Sequence, residues 1–247
     1  MSIIAFIKQL CKSFDDLDLT FNLKERNIMA NFAVIGATGY VGSAVVTELT
    51  SRGHSVTAFA RDASKVSSGE KVTAVSADVT ATNFADKLTG FDGVVSAFNA
   101  GWTNPNLGAD YTHGANAIVE SAKRAGVPYL LIVGGAGSLY VADGVQAVDL
   151  PSFPKEIYNG ANAARNLLND LKGRDDVNWA FISPPASLGV TGDYSEERTG
   201  SYRLGGDEML MVGDVPAGIS VADLAIAIAD DVENKAHLHK RFTVATA

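Results

Sequence analysis

Cysteine, long apolar runs and positive charge are all scarce in this sequence. Its single cysteine, Cys11, excludes an intramolecular disulfide and is consistent with a reducing compartment. No apolar run approaches the ~20 residues that a membrane-spanning helix needs. Lys and Arg number 20 against 28 Asp and Glu, so the formal net charge is −8. This balance argues against nucleic acid or an anionic membrane as a partner and favours a cytoplasmic protein that acts on small molecules.

What the sequence does contain is typical of one α/β domain. Hydrophobic residues make up 47% of its 247 positions, which is enough for a large core. Short apolar runs alternate with helical patterns, and strands are expected at 32–35, 55–60, 72–76, 94–98, 129–133 and 179–182. One helix is expected from about Asp110 to Ala125, with Gly126 as its C-cap signal. This alternation predicts a Rossmann-like, doubly wound, mostly parallel sheet with helices on both faces.

The stretch from Phe32 to Gly42, FAVIGATGYVG, carries the strongest functional signal. An apolar run predicts a strand, glycines follow at three-residue spacing, and a helical pattern comes after them. Such glycines allow a sharp turn, close approach of a pyrophosphate and tight packing of the helix, whose N-terminus then binds the phosphates. The alternative is a strand-to-helix turn without a ligand. The predicted phosphate-binding residues are Gly36, Thr38, Gly39, Tyr40, Val41 and Gly42.

The end of the second strand decides which nicotinamide cofactor fits, because the adenosine ribose lies there. An acidic residue at this place binds both ribose hydroxyls of NAD, whereas arginine accommodates the 2′-phosphate of NADP. Arg61 occupies it, and Lys65 follows four residues later. Asp62 argues for NAD, or the pair forms only a solvated turn. The prediction is NADP, with NAD as the less favoured cofactor.

Further cofactor contacts are expected at the carboxyl ends of the next strands, where open α/β sheets bind their ligands. The third strand leads into Asp78 and Val79. The fourth leads into Phe98, Asn99 and Ala100, where small side chains admit a cofactor. A simple glycine turn after the fourth strand is the alternative.

The segment after the fifth strand makes a family resemblance specific. Residues 133–139 read VGGAGSL, and with the GxxGxxG loop they resemble the atypical short-chain dehydrogenase/reductases called NAD(P)H-flavin reductase-like, relatives of biliverdin/flavin reductase. Similar segments follow at 150–154, 179–186, 198–205, 219–225 and 241–244, so the likeness covers about 30–247. The resemblance implies an oxidoreductase in which Asp78 contacts the adenine. It also implies cofactor contacts at Gly134 and, near the nicotinamide, at Ser183 and Pro184.

The sequence departs from that superfamily at its catalytic pair. Superfamily dehydrogenases use Tyr-x-x-x-Lys, but Tyr158 is followed four residues later by Asn162. Without a cation nearby, a phenol is a poor base at neutral pH, since its reference pKa is ~10. This disfavours carbonyl and alcohol chemistry. Hydride transfer to a flavin or quinone does not need the pair, because the reduced product takes its proton from solvent.

NADPH-dependent reduction of a flavin, quinone or similar planar acceptor is therefore the leading hypothesis, with flavin as a substrate rather than a bound cofactor. Ser138 is the predicted hydrogen-bond donor near the nicotinamide or acceptor, and Tyr158 a wall or weak donor. Trp102 and Tyr202 are stacking candidates, and segment 192–206 is the expected acceptor-side loop. One alternative is a non-catalytic NADP(H)-binding redox sensor; an isomerase or epimerase is less favoured. No metal site is expected, and the chain is expected to be a monomer or homodimer.

The first 28 residues do not share the α/β pattern. Apolar residues from Ile3 to Phe14 recur at three- and four-residue steps, as on one face of a short helix. A domain of this type usually starts just before its first strand, and Met29 stands there. Residues 1–28 are therefore either a native helix or an upstream extension of the reading frame. Residues 29–247 are expected to form a single NAD(P)-binding domain with a small C-terminal cap on the substrate side.

Overall fold

The computed structural model describes residues 29–188 and 196–247. In chain order its strands and helices are β1 (Asn31–Ile35), α1 (Tyr40–Ser51), β2 (Ser55–Ala60), β3 (Val72–Ser76), β4 (Gly93–Ser96), α2 (Leu107–Ala125), β5 (Leu130–Val133), β6 (Tyr140–Ala142), β7 (Val145–Gln146), α3 (Lys155–Leu171), β8 (Trp179–Ser183), β9 (Arg203–Gly205), β10 (Met211–Val212), β11 (Val215–Pro216), α4 (Val221–Asn234) and β12 (Lys240–Ala245). None of the helices in these two ranges has the length and apolar character that crossing a bilayer requires. The two interpretations of residues 1–28 lie outside the described residues.

Eight strands form one sheet in the order β3-β2-β1-β4-β5-β8-β12-β9. Every neighbouring pair is parallel except β12 with β9. The strands β2 and β4 pair with β1 on its two opposite sides, so the strand order reverses at β1. This reversal creates the crevice where sheets of this kind bind ligands. Ile35 pairs with Phe59 of β2 on one side and with Ser96 of β4 on the other, so these carboxyl ends stand in register. The predicted fold class is confirmed.

Two helix pairs cover the two faces of the sheet. The helices α1 and α4 pack on one face, and α2 and α3 on the other. A hydrophobic core lies on each face of the sheet, and consecutive residues of β1 point into different cores. Val34 belongs to the core beneath α1 and α4, and Ile35 belongs to the core beneath α2 and α3. A strand buried on both faces needs apolar residues at every position, which is why β1 reads as a continuous apolar run.

The element boundaries differ from the sequence prediction where tertiary contacts intervene. The helix α2 begins at Leu107 rather than Asp110, and Leu107 is buried against Gly160 of α3. It ends at Gly126, whose φ of 65° is left-handed, as predicted. The hairpins β6–β7 and β10–β11 were not anticipated, because strands of two or three residues leave no periodic pattern in the sequence.

The side chain of Asp223, in the first turn of α4, anchors the chain segment that precedes β9 by hydrogen bonds. Its buried carboxylate accepts hydrogen bonds from the backbone N–H groups of Thr199 and Gly200 and from the Thr199 hydroxyl, at 2.9 to 3.1 Å. Burial alone would raise the pKa of Asp223, but these hydrogen bonds outweigh it and hold the pKa below its usual range. The segment is therefore anchored through an ionised group.

Replacing Asp223 by alanine is expected to lower the free energy of unfolding by about 3 kcal/mol at pH 7, because the hydrogen bonds to its buried, charged carboxylate are lost. The folded-state pKa is depressed, so this contribution is fully present above the unfolded-state pKa of ~3.9 and is lost as the pH falls through the folded-state value. Urea unfolding of both proteins at pH 7 and pH 3 measures it. A stability difference that stays constant between the two pH values would contradict this prediction.

Candidate functional site

The turn between β1 and α1 has a geometry that requires glycine. Gly36 has a φ of +79°, and a Cβ there would lie 2.5 Å from the carbonyl oxygen of Ala97. Its N–H donates to the carbonyl oxygen of Phe59 at 3.0 Å, which ties the turn to the end of β2. A Cβ on Gly42 would lie 2.2 Å from the Gly36 carbonyl oxygen, so α1 packs directly on the turn.

The N-terminus of α1 is open for an anion. Gly39 is its N-cap residue, and no side chain caps the helix. The first N–H groups of a helix lack partners inside the helix, and the helix dipole makes this end partly positive. A Cβ on Gly39 would meet only the Gly36 carbonyl oxygen, at 3.2 Å, so a ligand can approach the backbone closely. These features fit the pyrophosphate of a dinucleotide.

A cavity of about 1100 Å³, here called the nucleotide cavity, opens in front of this turn. It brings together most of the cofactor residues predicted from the sequence: Gly36, Thr38, Gly39, Tyr40, Val41, Arg61, Asp78, Val79, Phe98, Asn99, Ala100, Gly134 and Pro184. The remaining candidates do not line it. Gly42 lies beneath the turn, Lys65 pairs with Asp62 on the surface, and Ser183 is fully buried.

Arg61 is the basic residue at the β2 end of the nucleotide cavity. Its exposed side chain forms no hydrogen bond or ion pair with the other residues that the structure describes. Asp62 is engaged elsewhere, because its carboxylate accepts from the N–H and hydroxyl of Ser64 at 3.1 and 2.6 Å. These hydrogen bonds lower the pKa of Asp62. A group bound at this end therefore meets a free guanidinium rather than a free carboxylate.

Asp78 lies on the same cavity wall, just after β3. One oxygen of its carboxylate accepts from the backbone N–H of Thr80 at 2.9 Å and from the Thr80 hydroxyl at 2.7 Å. These bonds, with smaller contributions from the nearby His113 and Arg61, hold the pKa of Asp78 below its usual range. Asp78 is therefore an ionised acceptor that suits an amino group such as that of adenine.

The nucleotide cavity also contains residues of α2 that are not among the site residues predicted from the sequence. Asp110, His113 and Gly114 line it from the first half of the helix. A lone histidine is more often structural, so His113 alone gives no signal. The usable signal is the spacing, since residues three and four apart share one helix face. Gly114 also makes room for Phe98, because a Cβ there would lie 2.4 Å from the Phe98 ring.

A second cavity, of about 1570 Å³, adjoins the nucleotide cavity and is here called the acceptor cavity. The residues that line both cavities are Phe98, Asn99, Trp102, Val133, Gly134, Pro184 and Leu188. Apolar side chains such as Leu107, Phe153 and Ile157 form one wall, and residues of the two small hairpins form another. Typical ligand pockets measure about 300–1,000 Å³, so a fused-ring molecule fits this space.

Ser138 lies behind the acceptor cavity rather than in its wall. It is 1% exposed, and its hydroxyl donates to the Gly135 carbonyl oxygen at 3.2 Å and lies 3.1 Å from the Ser183 hydroxyl. Its carbonyl oxygen accepts from Gln146 at 2.8 Å and from Arg241 at 3.3 Å. Both predicted serines, Ser138 and Ser183, thus pair with each other and line neither cavity.

Tyr158 also lies away from the cavities. It is 41% exposed on the first turn of α3, with its ring edge-to-face with Phe153 at 6.4 Å between centroids. It is absent from the lining of both cavities, although its neighbour Ile157 lines the acceptor cavity. The structure therefore gives Tyr158 no direct contact with a ligand in either space.

The two aromatic stacking candidates differ in position. Trp102 lines both cavities and is 63% exposed. Tyr202 lines neither, because its hydroxyl donates to Asp230 of α4 at 2.8 Å. Of the expected acceptor-side loop, residues 192–195 lie outside the described residues and 196–206 line neither cavity. The acceptor cavity is built instead by residues 207–216 and by the β6–β7 hairpin.

Comparison with known proteins places this geometry in context. A family model described as NAD(P)H-binding matches residues 36–232. The uncharacterized protein YwnB of Bacillus subtilis is 38% identical over 213 residues, which are 85% of this chain and 96% of that protein. A candidate epimerase from Bacteroides thetaiotaomicron has 35% identity and a TM-score of 0.78 over 88% of this chain and 97% of its own. A candidate NADH-flavin reductase from Streptococcus pneumoniae has 33% identity and a TM-score of 0.75 over 88% of this chain and 100% of its own.

Proposed function

This chain belongs to the NAD(P)H-binding family, and on that premise we propose that it is an NADPH-dependent reductase of a flavin, quinone or similar planar acceptor. The observation that carries the proposal is the shared wall of the two cavities. Phe98, Val133 and Gly134 line both, so a molecule in one cavity abuts a molecule in the other. Hydride transfer needs this direct contact between donor and acceptor.

The residues of the chain supply orientation and shielding rather than acid–base chemistry. When bound, NADPH supplies a hydride, the acceptor takes up that hydride and a proton from solvent, and NADP⁺ and the reduced acceptor result. Phe98 is held at the shared wall by Gly114 and by Tyr111, whose ring centroid is 6.0 Å away. Tyr158, the phenol that a carbonyl reductase would use, lines neither cavity. This favours acceptors that need no general acid from the protein.

Arg61 supports NADP over NAD as the cofactor. Its guanidinium is free to bind a phosphate with two hydrogen bonds, whereas the Asp62 carboxylate that would bind ribose hydroxyls is occupied by Ser64. The Streptococcus pneumoniae relative is described as an NADH-flavin reductase, which names the other nucleotide. The identity of the residue at the β2 end is therefore the feature to test for cofactor choice.

The proposal predicts NADPH oxidation, followed at 340 nm under anaerobic conditions, with riboflavin, FMN or menadione as the acceptor. Ala161→Phe fills the acceptor cavity from α3 and is expected to lower turnover at least ~10-fold, about 1.4 kcal/mol, while NADPH affinity is retained. Asn169→Phe, on the exposed face of the same helix, is the matched control.

Two outcomes would overturn the proposed reductase. Tight NADPH binding without turnover of any acceptor would identify an NADP(H)-binding sensor instead. Equal turnover in wild type and Ala161→Phe would show that the acceptor does not use this cavity. NADPH affinity is measured separately, by nucleotide fluorescence, so that loss of binding is not mistaken for loss of chemistry.

A further inference from the structure

The charged residues that line the acceptor cavity share one sign. They are Asp143, Asp207, Glu208 and Asp214, and the described lining includes no Lys, Arg or His. All four are exposed residues at the edge of an otherwise largely apolar space. The nucleotide cavity differs, because Arg61 and His113 line it together with its carboxylates. The two adjoining spaces therefore have different electrostatic preferences.

The fold holds these carboxylates in place through two hairpins. Asp143 lies in the turn of β6–β7, and Asp214 in the turn of β10–β11. The β6–β7 hairpin is bonded to the segment that leads into β10. The Tyr140 N–H donates to the Asp207 carbonyl oxygen at 2.9 Å, and the Tyr140 carbonyl oxygen accepts from the Met209 N–H at 2.8 Å. The acidic edge is thus part of the hydrogen-bonded framework and not a loose surface cluster.

Among the residues that the structure describes, a charged partner is present for only one of the four carboxylates, that of Asp207. Asp207 accepts from the Arg241 side chain at 2.6 Å, and Arg241 has a side-chain exposure of 1% behind the cavity wall. Asp143, Glu208 and Asp214 form no side-chain hydrogen bond or ion pair within residues 29–188 and 196–247. Their negative charge therefore acts on whatever enters the cavity.

We infer that the acceptor cavity selects planar acceptors without an anionic group, such as riboflavin or an unsubstituted quinone, and discriminates against FMN and FAD. The inference rests on the proposed reductase function and names the substrate class of its second site. The apolar walls bind the ring system. A phosphate in the same space meets like charges and no basic side chain in the described lining, and it gives up water without a compensating partner.

Riboflavin and FMN test this inference because they share one isoalloxazine ring and differ by a phosphate. At 10 mM salt and saturating NADPH, kcat/KM for riboflavin is expected to exceed that for FMN at least ~10-fold. The ratio should fall near 1 M salt, where the Debye length is about 3 Å instead of about 30 Å. Flavin affinity, measured by fluorescence quenching with NADP⁺ bound, should show the same ratio without turnover.

A variant that lacks the three unpaired carboxylates at the edge of the acceptor cavity provides the comparison with the wild type. Asp143→Asn, Glu208→Gln and Asp214→Asn combined are expected to lower the riboflavin-to-FMN ratio at least ~3-fold at low salt, since the repulsion is long-ranged there. Asp175→Asn removes one exposed charge at the amino end of β8, on the opposite side of the sheet, and should leave the ratio unchanged.

The possible failures are distinguishable. Equal affinity and kcat/KM for the two flavins, or a ratio unaffected by salt and by the triple substitution, would overturn the inference and leave the reductase standing. NADPH binding with no affinity for either flavin and no quinone turnover would overturn the reductase and this inference together.

Discussion

Replacing Gly39 by valine is expected to weaken NADPH binding at least ~100-fold, or about 2.7 kcal/mol, while the protein stays folded. The residue has φ −78° and ψ 168°, an extended conformation that any amino acid adopts. A Cβ there meets only the Gly36 carbonyl oxygen, at 3.2 Å, and is otherwise directed to open space at the cavity wall. The valine side chain would then occupy the space that the pyrophosphate requires at the N-terminus of α1.

Two other glycines make this experiment specific. Gly42→Ala places a Cβ 2.2 Å from the Gly36 carbonyl oxygen, so it is expected to cost roughly 3 kcal/mol of unfolding free energy as α1 is displaced. Gly206→Ala meets nothing within 4 Å and should change neither property. Thermal unfolding and NADPH titration of the three variants separate the effects. Unchanged NADPH affinity in Gly39→Val would show that the glycine turn is not part of the NADPH-binding site.

Replacing Arg61 by aspartate is expected to reverse the cofactor preference. The loss of a charged contact should weaken NADPH binding by about 1–3 kcal/mol more than NADH binding. An aspartate at this place also offers the acceptor that ribose hydroxyls require. Arg61 lines the nucleotide cavity and forms no hydrogen bond or ion pair with the described residues, so the substitution removes only its weaker electrostatic effect on Asp78. Titrations with both nucleotides give the ratio directly.

Lys65 provides the comparison for Arg61. It carries the same charge four residues later but lies outside the cavity, 3.7 Å from the Asp62 carboxylate. Lys65→Ala is therefore expected to have the smaller effect on the NADPH-to-NADH ratio. Lys87→Asp, at a position that lines neither cavity, controls for the change in net charge. If Arg61→Asp weakens the binding of NADPH and NADH equally, the Arg61 guanidinium does not bind the 2′-phosphate.

Local patterns explain why the nucleotide side was largely predictable. Residues from Gly36 to Val41 follow the buried strand β1, Arg61 follows the mostly buried β2 and Asp78 follows the more exposed edge strand β3. Parallel strands bring all these ends to one edge of the sheet. The acceptor side was not predictable in this way. One of its walls comes from the two short hairpins and from residues 207–209, which leave no periodic signal in the sequence. Ser138 stood next to a recognisable segment, but its burial depends on contacts with Ser183 and Arg241, which are far away in sequence. Tyr158 packs on Phe153, five residues earlier, and lines neither cavity.

The sequence by itself determined the alternation of strands and helices that is typical of a parallel sheet, the glycine turn and the basic residue at the end of β2, because each is a pattern of residues close together in the chain. Only the tertiary structure decided that Ser138 pairs with Ser183, that Tyr202 is held by Asp230 and that four carboxylates border the acceptor cavity. Those arrangements join residues tens of positions apart. Their energy comes from packing and desolvation in the assembled fold, which no local pattern encodes.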